Sequence, residues 1–350
     1  LVKILPYQLG YHPTDSLALI GLRGRHVGLV QRLDLPRQPE PLGEAVELMA
    51  DNLARARCGA GVVVLYESRP GQGRRAGAEL ARRLRENGVE VVEHLVVRDG
   101  RVYFPECRDS CHPVAGIPLP DDSDVPAVAD FVALGANPLP SREGLALRVA
   151  AAGGPTAARV KAAADRLDRL VAPRASRSRA IADWARLLDV TTPGFAGAPT
   201  SAAAAARMAV SLLDVHLRDL LTAWLCPGTL GASAFDPELV ALARAYLPGF
   251  DSGLGDDSGE CCRADPALDD AAAIEASAVL VERLCWLARH TPAELAPGVL
   301  TVLASYAWFL GDGALATVAL DRALTIDPAY RLAQLVERMV SLAIRPQRTA

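Results

Sequence analysis

Residues 61–67, GVVVLYE, decide the fold of this chain. A short continuous apolar run rich in β-branched valine is typical of a strand covered on both faces. Two further strand patterns precede it, SLALIGL at 16–22 and HVGLVQRLDL at 26–35. A short arginine-glycine turn separates these two patterns, which predicts a β-hairpin. The first part of the chain is therefore predicted to contain a sheet.

Helix patterns alternate with these strands. Residues 42–57 repeat apolar side chains at helical spacing, and residues 77–88 form a second helix pattern that ends on asparagine and glycine. Residues 89–104, VEVVEHLVVRDGRVYF, predict two strands joined at an Asp-Gly turn. The resulting order, ββαβαββ, predicts an α/β (α+β) fold in which helices cover a mixed N-terminal sheet.

The strand patterns end near residue 120, and alanine-rich helix patterns follow. One of these is the continuous stretch SAAAAARMAVSLLDVHLRDLLTAWL at 201–225. We therefore predict two regions, a mixed α/β domain at 1–122 and an all-helical region at 123–350. Whether the helical region packs on the first domain as one unit stays open.

The last helices, within residues 306–339, are similar to part of a tetratricopeptide repeat. Ala316, Leu320 and Ala323, followed by Asp327-Pro328, have the spacing of that repeat's second helix, where small residues let two helices approach closely. A single helical hairpin with a proline-capped successor explains the same spacing, because a solenoid needs several repeats. The sequence thus predicts one tetratricopeptide-like hairpin.

Charge and composition argue against several classes of protein. Lysine and arginine total 37 against 41 aspartates and glutamates, a net charge of −4, so the basic excess of a nucleic-acid-binding protein is missing. No run of about 18 apolar residues lacks a charge or proline, which argues against a transmembrane helix. The seven cysteines are odd in number, and the first residues lack the long apolar region of a signal peptide. We expect a cytoplasmic protein without nucleic-acid or membrane partners.

The N-terminal stretch PYQLGYHPTDSLALIGL, followed by QRLDLP, resembles the start of an actinobacterial family known as domain of unknown function 4192. The matching positions are Pro6, Tyr7, Leu9, Gly10, Pro13, Ser16, Leu17, Arg32, Asp34, Leu35 and Pro36. A middle motif of that family, Cys, a short gap, then Cys-Cys-Pro, is similar to residues 107–113, with His112 in place of the second adjacent cysteine. The resemblance spans nearly the whole chain. It implies no activity, substrate or cofactor, so it assigns no catalytic residue.

The motif ECRDSCHP at 106–113 leaves three interpretations open. Cys107, Cys111 and His112 offer three zinc ligands, but a structural zinc site needs four. Candidates for the fourth are His94, Cys58 and the distant Cys261-Cys262. A disulfide or redox pair is the second interpretation, and an unligated structural loop is the third. Neighbouring residues on an extended segment point to opposite faces, so joint action of Cys111 and His112 requires a turn. The spacing favours the loop, and we predict no metal and no cofactor.

A second set of polar residues follows the strand at 61–67 and flanks the hairpin. Gly71 and Gly73 precede a helix, so their N–H groups could bind an anion together with the charge of Arg69. An ordinary solvated loop explains the same residues. Ser16, Arg32 and Asp34 flank the hairpin, either as part of a ligand site or as a turn residue and an ion pair at a strand end.

No catalytic constellation is assembled by the sequence, so we expect a non-enzymatic interaction or regulatory protein that binds a protein partner through helical hairpin surfaces. The alternative is a protein or enzyme that binds a small anionic ligand. Its site would lie at the edge of the N-terminal sheet, where ligands bind in open α/β folds.

Overall fold

The computed structural model describes most of the chain, which divides into two compact units. The described residues are 1–36, 42–107, 111–133, 135–167, 175–189, 199–247, 250 and 271–344. The first unit is Leu1–Arg142 and the second is Glu143–Ala350. The boundary predicted after residue 122 lies within the first unit, because Leu139 bonds back to Gly10 and bridges to Tyr11.

One mixed sheet forms the centre of the first unit. Its strands in the described residues are β1 (Ser16–Arg23), β2 (His26–Asp34), β3 (Ala60–Tyr66), β4 (Glu90–Arg98), β5 (Arg101–Tyr103) and β6 (Ile117–Pro118). Their spatial order is β2-β1-β3-β4-β5-β6. The β3–β4 pair is parallel, and the other four neighbouring pairs are antiparallel. The predicted mixed sheet is confirmed, and β3 is buried from Gly61 to Tyr66, as its apolar run indicates.

The helices of the first unit are α1 (Leu5–Leu9), α2 (Gly43–Arg55), α3 (Arg74–Glu86) and α4 (Pro126–Ala133). Helices α2 and α3 contact each other, and α3 also contacts β3 and β4. Helix α3 therefore forms the crossover that joins the two parallel strands. The sequence patterns predict α2 and α3 but not α1 or β6, since elements of five and two residues are too short to show a period.

Glycines let α2 and α3 lie close to the sheet. A Cβ on Gly21 of β1 would lie 2.2 Å from Cδ1 of Leu53, a fully buried residue of α2. A Cβ on Gly77 of α3 would lie 2.7 Å from Nε2 of His94 on β4. Neither distance is compatible with ordinary van der Waals contact, so the missing side chains set the separation between the helices and the sheet.

The second unit is helical throughout its described residues. Its helices are α5 (Arg142–Leu147), which begins at the boundary, α6 (Pro155–Leu167), α7 (Ala175–Leu188), α8 (Ala202–Ser211), α9 (Val215–Leu225), α10 (Pro237–Tyr246), α11 (Ala271–His290), α12 (Ala296–Leu310), α13 (Gly313–Ile326) and α14 (Arg331–Ser341). The predicted helical C-terminal region is therefore confirmed. The glycine-rich segment with Cys261 and Cys262 lies outside the described residues.

The continuous helix pattern at 201–225 divides into α8 and α9. The carboxylate of Asp214 accepts hydrogen bonds from the N–H groups of His216 and Leu217, and so caps the start of α9. Ser201 caps α8 in the same way through the N–H of Ala204. The apolar periodicity continues across the turn, so it does not reveal the break.

The last three helices form a hairpin and a successor. Helix α12 is buried from Ala296 to Trp308 and ends at Gly311, whose φ of 93° closes the helix. The side chain of Asp312 then caps α13 through the N–H of Leu315. Helix α14 follows Asp327-Pro328 and contacts both α12 and α13. Within the described ranges, no helix is long and apolar enough to cross a membrane.

Replacement of Gly77 tests the close helix–sheet contact. We expect Gly77→Ala to lower the free energy of unfolding by about 1–3 kcal/mol, because the new methyl group overlaps the buried ring of His94. Alanine has a higher helix propensity than glycine. Gly43→Ala, in open space at the start of α2, should therefore leave the stability unchanged or raise it. Urea denaturation measures the free energy of unfolding of both variants. Equal values for the two variants would contradict the close packing of Gly77 on His94.

Candidate functional site

The predicted polar residues of the hairpin meet at one edge of the sheet. Ser16 at the start of β1 pairs with Asp34 at the end of β2 and with Tyr66 at the end of β3. Strand β4, parallel to β3, ends at the same edge with Arg98. This is the carboxyl edge of the parallel pair, where open α/β sheets bind ligands.

Arg32 connects the hairpin residues. Its Nε donates a hydrogen bond of 2.9 Å to Oγ of Ser16, and its guanidinium forms an ion pair with Asp34. The same guanidinium lies 5.8 Å from the ring centroid of Tyr11. Oγ of the fully buried Ser16 donates to the carbonyl oxygen of Thr14. The structure therefore brings Ser16, Arg32 and Asp34 together, in contacts with one another and with the chain around them.

Glu67, directly after β3, occupies the glycine loop, for which the sequence leaves an anion site and an ordinary solvated loop open. Its Oε2 accepts the N–H of Gly71 at 2.9 Å, and its Oε1 accepts the N–H of Gly73 at 2.8 Å. Its side chain is 2% exposed and also pairs with Arg98 at 3.4 Å. The N–H groups of this loop thus bind a carboxylate of the same chain.

Asp15 joins the hairpin to the loop from the other side. Its Oδ1 accepts the N–H of Ser68 at 3.0 Å. Hydrogen bonding by the side chain of Ser68 is the main reason that the pKa of Asp15 lies below its usual value, and the backbone hydrogen bond adds to it. Arg69 is exposed, and its charge contributes to the same lowering of the pKa. The six predicted ligand residues therefore lie along one polar edge, but Glu67 already satisfies the two glycines.

A thiol–imidazole cluster lies between β5 and β6. Sγ of Cys107 is 3.1 Å from Sγ of Cys111, and Nδ1 of His112 is 3.2 Å from Cys111 Sγ and 3.4 Å from Cys107 Sγ. We call these three residues the CCH cluster. The turn that its geometry requires is therefore present, and Cys111 and His112 point to the same side of the chain.

Neighbouring groups fix the position of the CCH cluster. The ring of His112 stacks on Phe104 with the ring centroids 3.7 Å apart, and the N–H of Cys107 donates to the carbonyl oxygen of Phe104. Arg101 of β5 donates to the carbonyl oxygens of Ala115 and Gly116, which closes the connection before β6. The imidazole and both thiols are thus held on a loop that is tied at both ends.

Hydrogen bonds within the CCH cluster shift the pKa values of its two thiols in opposite directions. Hydrogen bonding by His112, and then by Cys111, lowers the pKa of Cys107 to about 6, because both interactions stabilise the thiolate. The thiolate of Cys107 in turn raises the pKa of Cys111. One proton is therefore retained mainly on Cys111, while Cys107 is a thiolate at neutral pH.

Glu106 connects the CCH cluster to the core. Its carboxylate lies 3.0 Å from Nδ1 of the buried His94 and 3.3 Å from the guanidinium of Arg85 on α3. The interaction with His94 is the main reason that the pKa of Glu106 is lowered. The sequence alone indicates no role for Glu67 or Glu106, although each carboxylate directly precedes a loop rich in turn residues.

Glu67→Gln tests the role of the Glu67 carboxylate at the sheet edge. We expect the free energy of unfolding to fall by about 2–4 kcal/mol, because the amide cannot accept both glycine N–H groups and removes the buried ion pair with Arg98. Thermal and urea denaturation provide the measurement. Glu90→Gln, on an exposed position of β4, is the control, and an equally small effect of both substitutions would refute the role of Glu67.

Cys107 should react as a thiolate at neutral pH. In reduced protein with a chelator present, its alkylation rate by iodoacetamide should rise with pH through a midpoint of about 6, whereas an ordinary thiol titrates near 8.5. Mass spectrometry of the labelled peptides measures each thiol. His112→Ala removes the strongest stabilisation of the thiolate and should move the midpoint upward. An unchanged midpoint in that variant would contradict the assignment.

Comparison with known proteins covers both units. A family model described as Domain of unknown function (DUF4192) matches residues 1–248 and 261–347. No curated protein and no solved structure matches the chain. The resemblance to this family is therefore confirmed, and the match carries no statement about activity.

Proposed function

We propose that this chain, which belongs to the DUF4192 family, is a non-enzymatic regulatory protein that binds another protein through its helical C-terminal unit. Two observations support the proposal. The polar groups at the sheet edge bond to one another and to the chain around them, and apolar side chains are exposed on the second unit. The free thiols of Cys107 and Cys111 suit a reducing compartment, and we place the protein in the cytoplasm.

The sheet edge favours a structural role over ligand binding. Arg32 is shared between Ser16 and Asp34, and the carboxylate of Glu67 accepts the two glycine N–H groups. An external anion would have to displace a carboxylate that is 2% exposed and paired with Arg98. Displacement of a buried, hydrogen-bonded charge is unfavourable by several kcal/mol, about 3–5.

The observation that carries the proposal is a group of exposed apolar side chains around the turn between α8 and α9. Leu213 is 62% exposed and Val215 is 49% exposed on either side of this turn. Leu335 on α14 is 59% exposed. Exposed apolar residues that lie together on a folded surface mark sites of protein interaction.

Contacts at the first turn of α12 connect the turn between α8 and α9 with the start of α14. A Cβ on Gly298 would lie 3.2 Å from Cβ of Leu212 and 3.4 Å from the hydroxyl of Tyr330, the residue before α14. Arg218 of α9 donates to the same hydroxyl at 3.1 Å. The turn between α8 and α9 therefore lies beside the start of α14. We propose that Leu213, Val215 and Leu335 form one surface, which we call the apolar surface.

The tetratricopeptide-like arrangement fits this assignment. Helices α12 and α13 form an antiparallel hairpin, and α14 contacts both, as the first helix of a following repeat does. Ala333 and Val336 are buried on the inner side of α14, while Leu335 lies on its exposed side. We propose that a partner protein covers this exposed side of α14.

Site-specific photo-crosslinking tests the proposed surface. A benzophenone amino acid at position 213 or 335, introduced in the native host, should capture one defined partner, which is then purified and its affinity measured. Leu213→Asp combined with Leu335→Asp should weaken that affinity by roughly 30-fold or more, the loss expected for hot-spot residues. Leu147, on α5 and 67% exposed, provides the matched control for crosslinking and for Leu→Asp. Equal crosslinking or equal loss of affinity at 147 would refute the surface.

Binding of a small anion at the sheet edge is the second candidate, because six predicted ligand residues lie along that edge. Native mass spectrometry of protein purified from its host detects a retained small molecule. Arg32→Gln should remove it if Arg32 is a ligand. Retention of the molecule in Arg32→Gln would exclude this edge as its site.

A further inference from the structure

We infer that the CCH cluster is a binding site for a thiophilic divalent metal ion, with zinc as the best fit. The ligand atoms of Cys107, Cys111 and His112 all lie within 4.8 Å of one another. Two sulfurs and one imidazole nitrogen form the donor set that zinc prefers over harder cations such as magnesium and calcium. The site is independent of the partner surface proposed above.

The distances between the ligand atoms fit one ion. With Zn–S near 2.3 Å and Zn–N near 2.0–2.1 Å, tetrahedral geometry places two sulfurs about 3.8 Å apart and a sulfur and a nitrogen about 3.5 Å apart. The CCH cluster has 3.1 Å between the sulfurs and 3.2 and 3.4 Å between sulfur and nitrogen. Binding therefore needs the sulfurs to move apart by about 0.7 Å, and the nitrogen distances change by about 0.1–0.3 Å.

The loop around the cluster orients the ligands before an ion binds. Stacking on Phe104 holds the imidazole with Nδ1 facing both thiols. A Cβ on Gly116 would lie 2.9 Å from the ring of Tyr103 and from the carbonyl oxygen of Val102, so glycine is required where the loop returns to β6. Ligands already held in position lose little conformational freedom on binding.

Among the described residues, the CCH cluster has no protein ligand for the fourth coordination position. His94 cannot supply it, because its Nδ1 faces Glu106 and its Nε2 is buried under Gly77. Cys58 cannot supply it, since its Sγ lies beside Gly21 and Gly28, in the hairpin region of the sheet. Cys111 is exposed, so the CCH cluster can be reached from solvent. Three protein ligands with one exchangeable position are typical of zinc sites that bind water or an external ligand.

Metal titration of the full-length reduced protein tests the site. We expect one zinc ion per chain, measured by competition with a chromophoric chelator. Cobalt should give the thiolate-to-metal absorption of a tetrahedral site. Loss of a group that only orients a ligand weakens metal affinity 10–100-fold, so loss of a direct ligand should weaken it by about 100-fold or more. Cys107→Ser and His112→Ala should both show that loss, while His216→Ala, an exposed histidine on α9, should bind like the wild type.

Several outcomes would overturn the inference. Zinc binding that persists in Cys107→Ser and His112→Ala would place the metal elsewhere. An affinity weaker than micromolar in the reduced protein would exclude a physiological zinc site. Thiol counting distinguishes the remaining case: a Cys107–Cys111 disulfide in protein purified without reductant, together with no zinc uptake after reduction, would assign the cluster to redox chemistry. Circular dichroism shows whether each variant is folded, and thermal stability should rise with zinc only where the CCH cluster is intact.

Discussion

The close contact of α3 with the sheet is the constraint on which the first unit depends. It exists because Gly77 has no side chain, which leaves room for the ring of His94 directly beneath the helix. Burial of that ring directs its Nδ1 outward to Glu106, at 3.0 Å. Glu106 precedes Cys107, so two contacts and one peptide bond connect the packing of α3 to the first residue of the CCH cluster.

Buried charges are satisfied within each unit and not left for ligands. Glu67 accepts two backbone N–H groups and pairs with Arg98 at the sheet edge. In the helical unit, Arg283 donates to the carbonyl oxygens of Leu187 and Asp189 at the end of α7, and the buried carboxylate of Asp183 binds Arg207. Because a buried charge without such partners is strongly unfavourable, these contacts specify the packing more sharply than apolar burial alone.

Local patterns in the sequence predict the regular elements but not the contacts that give the sites their chemistry. The apolar runs of β1 and β3 depend only on burial, which composition reveals. The hairpin register then brings Ser16, Arg32 and Asp34 together, as the spacing suggests. The role of Glu67 depends on the path of the loop after β3, which no periodicity encodes. The same limit applies to the turn that brings Cys111 and His112 to one side.

The CCH cluster also bears on the protection of the sheet. Strand β6 has two residues and forms the edge of the sheet beside β5, and an unprotected edge strand pairs readily with other chains. The loop that carries the cluster leads into this edge and is tied to β5 through Arg101. An ion bound to Cys107, Cys111 and His112 would join the segment after β5 to the segment that leads into β6, so the proposed site lies beside the edge of the sheet.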